Sequence, residues 1–153
     1  MAFKPPAPTP AGLWRRVPPA IFPAIMGLFG LGLAWRRSAE AFGVPRGVGE
    51  AILGAVTLLF LFGLLAYMVK LLRRPPVLVE DLRILPGRAG IAALVLCFYL
   101  LSMTLAPYAA ALARGVLWAG FAAQLCLVVV LVHQLLTGPA EQRRVTPVWH
   151  LSY

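Results

Sequence analysis

The sequence predicts an all-α polytopic membrane protein with about four transmembrane helices arranged as two hairpins. Hydrophobic residues make up 61% of the 153-residue chain and charged residues only 12%, and the mean hydropathy is +0.85. A soluble domain carries about 25% charged residues and could not hide so much apolar surface at this length. A bilayer is therefore the expected solvent of this chain.

Four apolar segments are each long enough to cross the hydrocarbon core, which takes about 20 helical residues. Together they define a transmembrane domain over residues 17–137, with spans at about 17–35, 51–69, 89–106 and 109–136. Charged residues separate them. We expect loops between the spans, including a mixed-charge loop from Pro75 to Arg88, and a sharp turn at Pro107-Tyr108, because proline removes a backbone donor.

The two ends of the chain are polar. Residues 1–16 are rich in proline and predict a disordered cytoplasmic tail. Residues 138–153 predict a cytoplasmic segment that ends in the start of a fifth helix. Its signal is Thr146-Pro147, a hydroxyl N-cap followed by proline at the first helical position.

Basic residues are distributed unevenly between the two sides of the predicted membrane. Ten lie on the side of the termini and four on the other side, namely Arg36, Arg37, Arg46 and Arg114. Lysine and arginine accumulate in cytoplasmic loops. Both termini are therefore predicted to be cytoplasmic, which agrees with an even number of spans.

The charge and cysteine content excludes several classes of function. A net charge of +9 is explained by contact with anionic headgroups, and no nucleic-acid-binding motif accompanies it. Cys97 and Cys126 lie in apolar runs outside any CxxC pair, so we expect neither a disulfide nor a metal site. The spans hold no Asp or Glu and a single histidine, His133, so we expect no enzyme and no cofactor.

The first span carries the most informative residues. Small side chains recur at helical spacing and form one face, made of Ala20, Ala24, Gly27, Gly30 and Ala34. Close helix packing is the commoner reason for such a face, and lining a narrow path is the alternative. Pro23 should kink the helix by removing the bond to the Pro19 carbonyl. Arg114 could attract anions at an outer mouth, although a snorkelling arginine is the simpler interpretation.

The order of these features resembles one family, the tellurite-resistance/dicarboxylate transporters, which are related to the plant slow anion channels. The family's first helix contains a proline, phenylalanine, glycine and tryptophan pattern that is matched here by Pro18, Phe22, Gly27 and Trp35. Ala20 and Pro23 replace two of its glycines. Further similarity lies at Tyr67 to Leu71, Trp118-Ala119-Gly120, Gln124-Leu125 and Thr146 to Trp149.

The resemblance implies a ten-helix fold of five hairpins around a path lined by the odd-numbered helices, of which this chain contains the first part. The first and third spans would then face the path. Phe22, Pro23, Gly27 and Gly30 would be the path-lining or kink residues, and Arg114 the outer-mouth charge. The family's narrow point is a phenylalanine on the ninth helix, which this sequence does not contain.

The function implied by the resemblance is a membrane anion channel or transporter in a bacterial inner (plasma) membrane. Its partners would be the lipid bilayer and a small inorganic or dicarboxylate anion, and no nucleic acid. The family's roles include tellurite resistance, malate export and chloride or nitrate conduction. The alternative is a truncated fragment that inserts but acts only in packing or assembly. If the product does end at Tyr153, four-span units would have to form a homo-oligomer to transport.

Overall fold

The computed structural model describes residues 18–137, and every regular element in this range is helical. A 3₁₀ turn, Pro19–Ile21, leads into five α-helices. Their bounds are α1 Phe22–Phe42, α2 Arg46–Arg73, α3 Val77–Arg83, α4 Leu85–Leu105 and α5 Ala110–Thr137. Four of them, all except α3, are long and apolar enough to cross a membrane. The predicted all-α polytopic fold is therefore confirmed.

The four long helices form two hairpins that pack in the order α2, α1, α4, α5. The two central helices are therefore the first and third of the long helices, and each is flanked by its own hairpin partner. The core between them is rich in aromatic rings. Phe60 of α2 makes edge-to-face contacts with Phe22, Phe29 and Phe98, at centroid distances of 6.3, 6.0 and 5.5 Å. Such offset geometry suits the ring quadrupoles.

The α1–α2 connection is shorter than the sequence indicated. α1 continues past Arg36-Arg37 as far as Phe42, and α2 begins at Arg46. Gly43 ends α1 in the left-handed conformation, with φ of 70°, and its N–H bonds to the carbonyl of Ala39 at 3.2 Å. The Trp35 indole then donates to the Pro45 carbonyl at 2.9 Å and holds the turn closed.

The prediction of a loop from Pro75 to Arg88 is wrong. The segment instead forms α3 and the first residues of α4. The apolar side chains of Val77 and Leu82 are buried beneath the bundle, and this burial gives the short helix a docking surface. Asp81 accepts hydrogen bonds from Lys70 Nζ at 3.0 Å and from the Tyr67 hydroxyl at 3.2 Å, which fix α3 to α2. Of the charges that suggested a loop, Glu80 is exposed on α3, whereas the Asp81 side chain faces α2 and is only 13% exposed.

The second hairpin turns where proline indicated. α4 ends at Leu105, and the N–H groups of Tyr108 and Ala109 bond to its carbonyl at 3.0 and 2.9 Å. Within the hairpin, the Ser102 hydroxyl donates to the Ala113 carbonyl at 2.9 Å and joins α4 to α5. The predicted tail at 1–16 and the predicted segment at 138–153, including the fifth-helix start, lie outside the described residues.

Glycine packing distinguishes two faces of α1, and this difference can be measured. A Cβ built on Gly32 would lie 2.6 Å from Leu53 Cδ2, whereas one on Gly27 would meet nothing within 4 Å. We therefore expect Gly32→Val to lower the free energy of unfolding by about 1–3 kcal/mol, the usual cost of overpacking. The measurement is thermal unfolding in detergent followed by circular dichroism.

Gly27→Val is the matched control, because it introduces the same side chain on the same helix in open space. It should unfold close to the temperature of the unmodified protein. Equal destabilisation by the two substitutions would contradict the packing of α1 against α2.

Candidate functional site

The exposed surface of α1 carries a stripe of small residues beside two exposed leucines, Leu28 and Leu31. On α1, the residues Ala24, Gly27, Gly30 and Ala34 are exposed and share one stripe, with Leu31 beside it. No neighbouring atom lies within 4 Å of a Cβ built on Gly27 or Gly30. This small-residue face of α1, defined by those four residues, therefore leaves a shallow groove along the helix.

The outer helices present bulky apolar groups instead. On α2, Leu58 is 71% exposed and Leu65 63% exposed; on α5, Trp118 is 72% exposed and Leu125 67% exposed. Large branched and aromatic side chains of this kind suit contact with lipid tails. Exposed small residues are not confined to α1, however, because α5 also carries an exposed stripe made of Ala111, Gly115, Ala119 and Ala122.

Phe22 and Pro23, both predicted beside a path, have other surroundings in the structure. The Phe22 ring is fully buried and packs edge-on to Phe60 and to Tyr67, the latter at 6.0 Å. Pro23 lies in the first turn of α1, directly after the 3₁₀ turn, where the Phe22 N–H bonds to the Pro19 carbonyl. Proline has no backbone N–H to donate. At Pro23 this N–H is absent at a helix start, where proline is tolerated, rather than in the middle of a helix.

The small-residue face of α1 leads to a cleft at the end of the bundle where α1 meets α2 and α4 meets α5. The cleft has a volume of about 660 Å³. Its walls combine apolar groups with three arginines, two glutamates and a tyrosine, and the lining residues that carry the chemistry are Ala34, Arg36, Arg37, Glu40, Arg46, Glu50 and Tyr108. We call this the arginine cleft. With three cationic and two anionic side chains, it keeps a net positive charge.

Arg36 is the structural centre of the arginine cleft. Its Nε donates to Glu50 Oε1 at 2.9 Å and its Nη2 to Glu50 Oε2 at 2.8 Å, a two-point ion pair between α1 and α2. The same guanidinium donates to the Thr104 carbonyl at 3.4 and 3.5 Å. That carbonyl belongs to the last turn of α4, where helical partners run out, so Arg36 also caps α4.

The remaining charges of the cleft are more exposed. Glu40 pairs with Arg37 at 3.0 Å and with Arg46 at 3.5 Å, and the Arg37 side chain is 81% exposed. Tyr108 adds a polar ring, which lies 5.8 Å from the Arg36 guanidinium carbon. The nearby Glu50 carboxylate raises the pKa of Tyr108 above its usual range. The phenol therefore stays neutral and can donate a hydrogen bond.

Arg114, the predicted outer-mouth charge, lies at the same end of the bundle but outside the arginine cleft. It is exposed on α5, and its Nε donates to the Ala110 carbonyl at 3.4 Å. The residues that sequence reasoning missed are Arg36 and Glu50, which were assigned to span flanks and loops. A signal was present, because both lie seven positions from Gly43 and therefore face each other once a hairpin forms.

Among residues 18–137, no three side chains of His, Cys, Asp or Glu come close enough to hold a metal ion. The described chain is thus a polytopic membrane protein whose first span carries an open small-residue face ending at a positively charged cleft. A family model described as voltage-dependent anion channel matches residues 16–153, and the chain belongs to that family. The resemblance to tellurite-resistance/dicarboxylate transporters is thereby confirmed. No curated protein and no solved structure matched the chain.

The Arg36–Glu50 pair should contribute more to stability than the exposed pairs around it. The Arg36 side chain is only 11% exposed, so Glu50→Gln leaves a charge that water reaches poorly. We expect this substitution to lower the free energy of unfolding by about 1–3 kcal/mol, the range for hydrogen bonds to charged groups. Thermal unfolding in detergent measures it.

Glu40→Gln serves as the comparison, since it removes the same charge from pairs whose members are 43% to 81% exposed. Exposed pairs contribute about 0–1 kcal/mol, so this variant should unfold nearly as the unmodified protein does. If the two substitutions had equal effects, Arg36 would not be the structural centre of the cleft.

Proposed function

We propose that this chain supplies part of an anion-conducting path, with the small-residue face of α1 as its wall and the arginine cleft as one mouth. The observation that carries the proposal is the continuity between the two. Gly27, Gly30, Ala34 and Arg37 follow one another at spacings of three and four residues, so they share one helical stripe that enters the cleft. Family membership supports an anion channel or transporter.

The arrangement of the helices also favours this proposal. In the family fold that the resemblance implies, the odd-numbered helices line the path. Here the first and third long helices, α1 and α4, are the two central ones, and the lipid-like faces belong to α2 and α5. A face of glycine and alanine gives an anion closer access to backbone dipoles than a face of large side chains does, and guanidinium groups at the mouth supply positive potential. No fixed carboxylate and no cofactor is needed for such passage.

The transported species in this proposal is a small inorganic or dicarboxylate anion, consistent with roles in tellurite resistance or dicarboxylate transport. The second candidate is a membrane unit that acts only in packing or assembly. It is favoured by the same small residues, since a Gly/Ala face also suits close contact with another helix. A substitution that fills the face separates the two functions when anion flux is the measurement.

Anion flux through proteoliposomes tests the proposal, with efflux of internal chloride recorded by an ion-selective electrode. The chain should release chloride faster than empty vesicles do. Gly30→Leu should reduce this flux by about tenfold. Overpacking costs about 1–3 kcal/mol, and a leucine side chain on the face should raise the barrier to passage by a similar amount.

Gly54→Leu on α2 is the matched control. Gly54 also has nothing within 4 Å of its built Cβ, but it shares its stripe with Leu58, Leu61 and Leu65 on a lipid-like face. Its flux should equal that of the unmodified chain. Flux no greater than that of empty vesicles, with insertion verified, would overturn transport by this chain. Equal flux from the two leucine variants would remove α1 from the path.

The proposed location is a bacterial inner (plasma) membrane, with both termini in the cytoplasm and the arginine cleft at the outer side. A reporter fused after Arg144 should give a cytoplasmic signal, because ten basic residues lie on the side of the termini against four on the other. A second reporter inserted at Gly43 should give the opposite signal. A periplasmic signal from the Arg144 fusion would reverse the orientation.

A further inference from the structure

A second cleft lies at the opposite end of the bundle from the arginine cleft, and its walls are almost entirely carbon. Because α5 packs mainly on α4, α2 and α5 remain apart, and a groove of about 320 Å³ is left between them. Helix α4 forms its floor and α3 closes one end. Its walls include Leu71, Leu78, Leu82, Leu94, Leu127 and Val130. We call it the apolar cleft.

The length of the apolar cleft fits part of a hydrocarbon chain that lies along the membrane normal. On α5 it extends from Ala123 to Val130, eight residues, or about 10 Å along the helix axis from the first to the last. A bilayer is about 30 Å thick in its hydrocarbon region, so the cleft covers roughly one third of it. Water would find almost no polar partner there, and a void would forfeit dispersion contacts. A hydrocarbon occupant is therefore favoured.

Two basic residues, Arg74 and Arg88, lie one helical turn beyond lining residues of the apolar cleft, toward the end that α3 closes. Arg88 lies one turn before the lining residue Ile91 on α4, and its Nε donates to the carbonyl of Leu82, itself a lining residue. Arg74 lies three residues after Leu71, at the end of α2; its side chain is 65% exposed and pairs with Glu80 at 2.9 Å. A guanidinium has five donors, so each of these groups can also bind a phosphate.

The charge of this end is positive overall. The segment from Lys70 to Arg88 contains five basic residues and two acidic ones, Glu80 and Asp81. Asp81 is engaged by Lys70 and Tyr67, and Glu80 by Arg74. Anionic headgroups are attracted to clusters of this kind next to a transmembrane helix. A carbon-lined groove that ends beside such a cluster matches the acyl chain and the anionic headgroup of one phospholipid molecule.

We propose that the apolar cleft seats one acyl chain of an anionic phospholipid, and that Arg74 and Arg88 bind the headgroup phosphate at its α3 end. The lipid fills the gap between α2 and α5, which the protein itself leaves open, and it joins the two hairpins on the side away from the arginine cleft. This site is separate from the proposed anion path, because it lies between the outer helices at the other end of the bundle.

Native mass spectrometry of the full chain tests this site, with phosphatidylglycerol and phosphatidylcholine of identical acyl chains as the two probes. One phosphatidylglycerol should remain bound after detergent removal, and phosphatidylcholine should be released. In the double variant that combines Arg74→Gln with Arg88→Gln, the affinity for phosphatidylglycerol should fall about thirtyfold, because two basic residues no longer contact the anionic headgroup. Arg114→Gln removes one arginine at the far end and should leave the retention unchanged.

A second variant tests the acyl seat without touching either arginine. Ala123→Phe places a ring in the apolar cleft and should abolish retention while the helical circular dichroism is preserved. Equal retention of the two lipids, an unchanged affinity in the double arginine variant, or retention by Ala123→Phe would each overturn the proposal. A lipid-free mass of two chains would assign the cleft to a second copy and would also overturn it.

Discussion

Arg36 stands where α1, α2 and the end of α4 converge, and the relative positions of these helices depend on how its charge is satisfied. Glu50 neutralises the guanidinium through two short hydrogen bonds, and the Thr104 carbonyl accepts two longer ones. One side chain therefore ties the first hairpin together and joins it to the second. Partial burial makes these contacts obligatory, because an unpaired charge that water reaches poorly is costly. The arginine cleft exists because this network holds the three helices together at one end.

The rest of the bundle follows from the way each helix divides its surface. α1 places its rings inward, where Phe22 and Phe29 pack on Phe60, and leaves glycine and alanine outward. α2 does the reverse, with a glycine face toward α1 and leucines toward the outside. Tight approach of the two backbones at Gly32 and Gly49 is what aligns Arg36 with Glu50. Packing of small residues inside a bilayer thus positions the polar network at its end.

Hydropathy was sufficient to predict four long helices, because a bilayer forces its spans to be continuous apolar helices, and proline marked the turn at Pro107. Hydropathy could not locate the helix ends at Phe42 and Arg46, since Arg36 is paired with Glu50 across the hairpin and Arg37 with Glu40 one turn further along α1. Helix α3 was missed because its burial depends on contacts with α4 and α2 that no local pattern encodes. The small-residue face of α1 was visible in the sequence, but the burial of Phe22 required knowing where Phe60 lies.

The turn at Gly43–Pro45 has a consequence for biogenesis. In the proposed orientation this turn and the arginine cleft must be carried across the membrane as the first hairpin inserts. A hairpin closed by three residues moves as a unit, so Arg36 and Glu50 can cross together as a neutral pair instead of as two separate ions. Translocating them apart would incur the desolvation cost of each charge. The ion pair that organises the mature bundle is thus also suited to lowering the barrier to its insertion.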